Sequence, residues 1–404
     1  MSSAIENTAR AAVAFVSPFL TVYDAAVNTA ASVASCGLSL LGGPSALPKH
    51  IPRKEANPVA VFVTGASAGI GHEVVFSLLR KGYLVFAGVR RVEDGLMLEK
   101  QWSDEMESNP AMRAAQLTVA GDEDEDEKDM TPTWDCARVV PIVVDVTKEK
   151  QINAAVGAVQ RHLKQLNATF VGLVNVAGSL TLAPMAFAHH KLLAEQFDVN
   201  YFGVMDMTQA FFPLLKEYQG RVVNIGSMAS FGVTPGSGPY SSSKAALAAA
   251  TEALRMELRP FGIGVSLIEP GAIRTRAWDR GTEALQQLAD GKAAPNTVGV
   301  DTTRAHLAGK EVVKKETNDR SSNALVSGVA EYASMFQNLS VGYKVGRILS
   351  FPPKHVGQQV EHALTSAYPR PRYLVGIDAK LLATVMTFAP TPFTEYFLKM
   401  AVWG

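Results

Sequence analysis

Cysteine is nearly absent from this sequence: Cys36 and Cys136 are the only two in 404 residues. Two thiols cannot build a disulfide framework, and no Cys/His cluster has zinc spacing, so no resident metal is expected. Sparse thiols suit a reducing compartment or a cytosolic face. An excess of charge is missing too. Lys+Arg and Asp+Glu both number 38, which leaves no basic surplus to suggest nucleic acid as a partner. Nor is there an uninterrupted run of ~20 strongly apolar residues; between Ala11 and Pro48 the content is apolar, but Pro18, Asp24 and Asn28 intervene. A basic n-region is lacking as well, since Glu6 offsets Arg10, so a secretory signal fits poorly.

Apolar residues are plentiful at 47%, against 19% charged, which supplies a substantial core and excludes global disorder. Short β-branched runs alternate with longer helical segments. Strands are predicted at 59–65, 83–90, 139–146, 170–178, 221–227, 264–271 and 372–377. These runs lack period-two alternation, as strands buried on both faces should. Crossover helices fit between them at 71–81, 149–166, 189–218 and 240–259. The expected fold is α/β: a Rossmann-type, doubly wound parallel sheet of about seven strands with helices on both faces.

The expected organisation is an apolar N-terminal extension (1–50), a Rossmann-type α/β domain (51–378) and an apolar tail (379–404). The extension reads as a targeting peptide, a membrane contact or a cover for the domain. Two insertions interrupt the domain. Residues 101–137 contain "GDEDEDEKD" (121–129), a like-charge run with no apolar face, expected to be a solvated loop. Residues 272–352 follow the sixth strand on the side where such sheets bind ligands, which makes them a candidate substrate lid.

The first strand runs directly into "TGASAGIG" and then a helix. Gly65 permits a tight turn, Gly69 lets backbone approach a phosphate, and Gly71 lets helix approach strand. The helix N-terminus then offers free N–H groups to a pyrophosphate. Further polar residues fall near the carboxyl ends of later strands. Asp145 is expected to end the third, "NVAG" (175–178) the fourth and Ser227 the fifth, with Asn200 inside the intervening helix. Tyr240 and Lys244 stand one helical turn apart and look into one space.

Together these ordered motifs, spanning about 58–275, resemble the short-chain dehydrogenase/reductase family. One departure is Val176, where the family's Asn-Asn-Ala-Gly motif has its second Asn. The resemblance implies Asn200, Ser227, Tyr240 and Lys244 as the catalytic set. It also implies cofactor contacts at Thr64, Gly65, Ser67, Gly69, Ile70 and Gly71, at Arg90, Asp145, Asn175, Ala177 and Gly178, and at Pro270, Gly271, Ile273 and Thr275. Tyr240 and Lys244 join both sets. A free tyrosine, with a pKa of about 10, is a poor base near neutrality. A neighbouring ammonium favours the phenolate, so Lys244 is expected to activate Tyr240. The resemblance further gives Ser227 the substrate oxygen and Asn200 a water on the proton path from Lys244.

The segment 360–382, "VEHALTSAYPRPRYLVGIDAKLL", is similar to the retinol and hydroxysteroid dehydrogenase branch. That similarity implies hydride exchange between NAD(P)(H) and a lipophilic alcohol or ketone: retinoid, steroid or other lipid. Cofactor choice turns on "AGVRR" at the end of the second strand. A neutral residue occupies the position of the usual acid, and a guanidinium fork matches a phosphate, which favours NADP(H) over NAD(H). The apolar ends point to membrane association, at the endoplasmic reticulum or another organelle, with a cytoplasmic protein as the alternative. Family resemblance and the small residues of 244–254 point to a homodimer. A dinucleotide-binding scaffold without turnover is the competing function, and the paired Tyr240 and Lys244 argue against it.

Overall fold

The computed structural model describes residues 57–109, 137–188, 190–289 and 332–396. The N-terminal extension, the acidic run and residues 290–331 lie outside these. Seven parallel strands form one sheet in the order β3-β2-β1-β4-β5-β6-β7. They are β1 (Val59–Val63), β2 (Leu84–Val89), β3 (Arg138–Val143), β4 (Thr169–Asn175), β5 (Arg221–Ile225), β6 (Gly264–Pro270) and β7 (Arg372–Val375).

The apolar runs lack alternation because each strand feeds two cores. In β1, Val59, Val61 and Val63 point to one face, while Ala60 and Phe62 point to the other. The first face is covered by α1 (Gly69–Leu79), α2 (Val92–Ser108) and, further along the chain, Lys354–Thr365. The second is covered by α3 (Glu149–Gln165) and by α5 (Gly203–Glu217), which follows the short α4 (His190–Phe197). Helix α6 (Gly238–Glu257) packs beside β6. After β6 come α7 (Ala277–Ala289), α8 (Ala333–Leu349), α9 (Lys354–Thr365), and, after β7, α10 (Ile377–Phe388).

The acidic insertion begins later than expected, because residues 101–108 are the last turns of α2, held by buried Trp102 and Met106. Chain order reverses between β1 and β4, so the connections leave in opposite directions there and open a crevice at the strands' carboxyl ends. The glycine turn sits at that crevice.

Candidate active site

The turn after β1 is built from steric necessity. Gly65 has φ +65°, and a Cβ there would lie 2.8 Å from Ala177 Cα. A Cβ on Gly71 would lie 2.1 Å from Gly65 O. Ala68 precedes α1 without any side-chain cap, so the first N–H groups of the helix face the crevice. This cradle of bare backbone donors fits a pyrophosphate, and no other chemistry explains its shape as directly.

Thr64 does something else than contact a cofactor through its side chain. It is 1% exposed, and its Oγ1 accepts from Val176 N at 2.9 Å and Ala177 N at 3.0 Å. The hydroxyl thereby ties the turn to the end of β4. Asn175 is likewise turned inward, donating to Asn224 Oδ1 at 2.9 Å and Thr208 Oγ1 at 3.3 Å. Its side chain braces the interior between β4, β5 and α5. Strand β3 stops at Val143, so Asp145 lies in the following loop, where Oδ1 accepts from Thr147 N at 3.0 Å and Oγ1 at 2.8 Å. That carboxylate shapes the entry to α3. Thr64 and Asp145 act alike: a short polar side chain beside an irregular loop accepts from nearby backbone donors.

Asn200 is not in a regular helix. It lies in a π-helical turn, Asp198–Phe202, between α4 and α5, a distortion that recurs at functional sites. The side chain is fully buried, accepts from Ser179 N at 2.8 Å and donates to Ser179 O at 2.9 Å and Ser243 Oγ at 3.0 Å. It pins the loop after β4 against the helix that carries Lys244. None of these bonds runs to Lys244 itself.

Ser227 follows β5, which ends at Ile225, and its Oγ accepts from Ala229 N at 3.1 Å at the start of a short 3₁₀ turn. The same hydroxyl neighbours the Tyr240 phenol and acts to lower it. Lys244, 4% exposed, donates from Nζ to Ile225 O at 2.7 Å and stands 6.0 Å from the Tyr240 ring centroid. Burial pushes its ammonium down to about 8. Burial also raises the Tyr240 phenol, with Ser227 pulling the other way. The electrostatic help expected from Lys244 therefore does not overcome desolvation in this arrangement.

On the other side of the crevice, Pro270 closes β6 and Gly271 N bonds to Val375 O at 2.8 Å. Ala272 N bonds to Asp378 Oδ2 at 2.5 Å. Ile273 pairs with Phe351 and accepts from Trp278 Nε1 at 2.7 Å. A Cβ on Gly69 would come 3.3 Å from Thr275 Cγ2, which brings this segment against the glycine turn. Arg90 is exposed where β2 ends, beside Arg91, whose guanidinium grips Asp94 at 3.0 and 2.7 Å.

Three residues of the site had no signal in the sequence. Asp378, in the first turn of α10, holds the turn after β6. Trp278 and Tyr343 come from α7 and α8, with ring centroids 5.0 Å apart. Tyr343 lies close enough to Tyr240 that its phenol is raised by burial and by that neighbour. Beside them Leu182, Leu285, Met335 and Phe336 form a separate apolar cluster.

A parallel sheet with a phosphate-type turn at its switch point and a Ser/Tyr/Lys set beside it defines a dinucleotide-dependent oxidoreductase. The short chain dehydrogenase profile matches residues 111–286. Retinol dehydrogenase 7 of Rattus norvegicus is 30% identical over 349 residues, covering 85% of this chain and 88% of that protein. The 17-beta-hydroxysteroid dehydrogenase type 6 of Bos taurus is 28% identical, covering 84% and 87%. A short chain dehydrogenase from Burkholderia cenocepacia, solved in complex with NADP, superposes with a TM-score of 0.50 at 21% identity, over 85% of this chain and 98% of that one. The chain belongs to the short-chain dehydrogenase family, in the branch of the retinol and hydroxysteroid dehydrogenases, and is an oxidoreductase acting on CH–OH groups with NAD(P).

Proposed function

We propose that the protein interconverts a hydroxyl and a carbonyl on a lipophilic substrate, a retinoid, steroid or other lipid, with NADP(H) preferred. The observation that carries this is Ser227 beside Tyr240, with Lys244 buried one turn further along the helix that bears Tyr240. The nicotinamide cofactor, when bound, supplies or accepts the hydride. The glycine turn and the N-terminus of α1 would hold its pyrophosphate. Ser227 would orient the substrate oxygen, and Tyr240 would exchange a proton with that oxygen at its phenol. Lys244 keeps a positive charge beside the phenol and, through Ile225 O, a fixed direction. The apolar cluster under α7 and α8, with Trp278 and Tyr343, suits a hydrophobic substrate and keeps water from the phenol. The two relatives are themselves named for retinol and a hydroxysteroid.

Arg90 supports the NADP(H) preference, since it meets no carboxylate among the described residues. Arg90→Ala is expected to lower kcat/KM for NADPH by roughly tenfold or more, the worth of one charge-assisted contact, while NADH changes little. A wild type that prefers NADH, or a variant that loses both alike, refutes the preference.

A membrane surface is the proposed source of such a substrate. No helix among the described residues is long and apolar enough to cross a bilayer. Yet Phe388 is 79% exposed, and Leu381, Phe393 and Tyr396 are exposed beside it. These side chains suit shallow insertion. Each buried Phe adds about 1.5–3 kcal/mol, so Phe388→Glu with Phe393→Glu should cut liposome flotation at least tenfold and leave the melting temperature unchanged. Equal flotation of both proteins rules out this contact.

A further inference from the structure

Next to the glycine turn the crevice widens into a cleft of about 950 Å³. Gly69 lines one part of it, and the segment Arg274–Arg276 leading into α7, with side chains of α7 and α8, lines the rest. Four cations, Arg274, Arg276, Lys344 and Arg347, border the cleft against one carboxylate, Asp279, an excess of three positive charges (four minus one). Arg347 is paired with Asp279 at 2.8 Å, and Arg274 donates to Ser350 O at 3.1 Å. Arg276 and Lys344 are exposed and meet no carboxylate among the described residues. Proton transfer at Tyr240 uses none of them.

Like charges gathered on two facing walls of a cleft repel unless an anion lies between them. Gly69 belongs both to this cleft and to the phosphate turn, so the anion nearest to hand is the pyrophosphate, with two negative charges. We propose that the segment leading into α7 and helix α8 form a cation clamp on the dinucleotide pyrophosphate, with Arg276 and Lys344 taking its charge from the side opposite the glycine turn. The clamp rests on the dinucleotide reading and goes beyond it. Helices α7 and α8 also carry Trp278 and Tyr343, the latter close to Tyr240, so the clamp stands next to the substrate side of the site. Arg276 and Lys344 thus act on a different part of the cofactor from Arg90, whose contact is the 2′-phosphate.

The test is titration of the full chain with NADPH, NADH and adenosine 2′-monophosphate, the last of which has no pyrophosphate. Lys344→Ala and Arg276→Ala should each weaken NADPH and NADH by the same factor, roughly tenfold, and leave adenosine 2′-monophosphate unchanged. On the wild type, raising ionic strength should weaken both dinucleotides, and inorganic pyrophosphate should compete with NADH. Unchanged dinucleotide affinity in both variants overturns the clamp. So does a loss confined to NADPH, an equal loss of adenosine 2′-monophosphate, or a raised substrate KM at unchanged dinucleotide affinity, which would give the cleft to an anionic substrate. A wild type that binds neither dinucleotide overturns the functional reading together with the clamp, whereas a binding wild type with indifferent variants overturns the clamp alone.

Discussion

Tyr240→Phe is expected to lower kcat by ~10²–10⁴-fold, the usual contribution of general acid–base catalysis, while dinucleotide affinity and melting temperature stay near wild type. The substitution removes one oxygen and leaves the ring that packs in α6. That oxygen is the one that neighbours Ser227. Steady-state turnover with a panel of lipophilic alcohols and ketones, beside a dinucleotide titration, checks both halves. Near-normal turnover sinks the mechanism.

The pH profile should be asymmetric. Burial raises the Tyr240 phenol above its ordinary value, so at neutral pH the phenol is protonated and ready to donate. Carbonyl reduction should therefore hold through neutrality and fall only in alkaline solution. Alcohol oxidation needs the phenolate and should rise with pH over the same range. The Lys244 ammonium, held down to about 8 by burial, loses its charge within that rise, which should flatten the oxidation limb above it. A profile with both directions falling together from neutral pH contradicts this assignment.

Gly71→Ala should damage both stability and cofactor binding. The added Cβ would lie 2.1 Å from Gly65 O and 2.8 Å from Gly65 C. Both are backbone atoms, so no rotamer relieves the clash and the phosphate turn itself must shift. Forced overpacking of this kind costs about 1–3 kcal/mol, several degrees in melting temperature, and the displaced turn should lose at least tenfold in dinucleotide affinity. Gly157→Ala is the control. Its Cβ would meet only Arg161 Nη1 at 3.6 Å in α3, so the better helix propensity of alanine should leave stability equal or slightly higher. Thermal denaturation and NADPH titration of both variants decide it; a Gly71→Ala protein indistinguishable from wild type would show that the turn tolerates the shift.

By itself the sequence determined the seven strands, the parallel sheet and the elements that carry the glycine turn, Ser227, Tyr240 and Lys244. Strands buried on two faces must be apolar throughout, and the turn and the Tyr/Lys spacing are local, so a short window of residues contains them. What only the tertiary structure decided involves partners far apart along the chain. Thr64 spends its hydroxyl on N–H groups of Val176 and Ala177, more than a hundred residues away, and Asp378 holds Ala272 N across a similar gap. Asn175 and Asn200 were legible as site residues, but their interior partners were not: the Asn200 amide bonds to Ser179 and Ser243, while the Asn175 amide donates to Asn224 and leaves its own buried Oδ1 without a partner among the described residues. The charges bordering the cleft belong to the same order of facts. Arg276, just before α7, and Lys344, on α8, face a common space only because α7 and α8 pack together, and no periodicity in either helix records its neighbour.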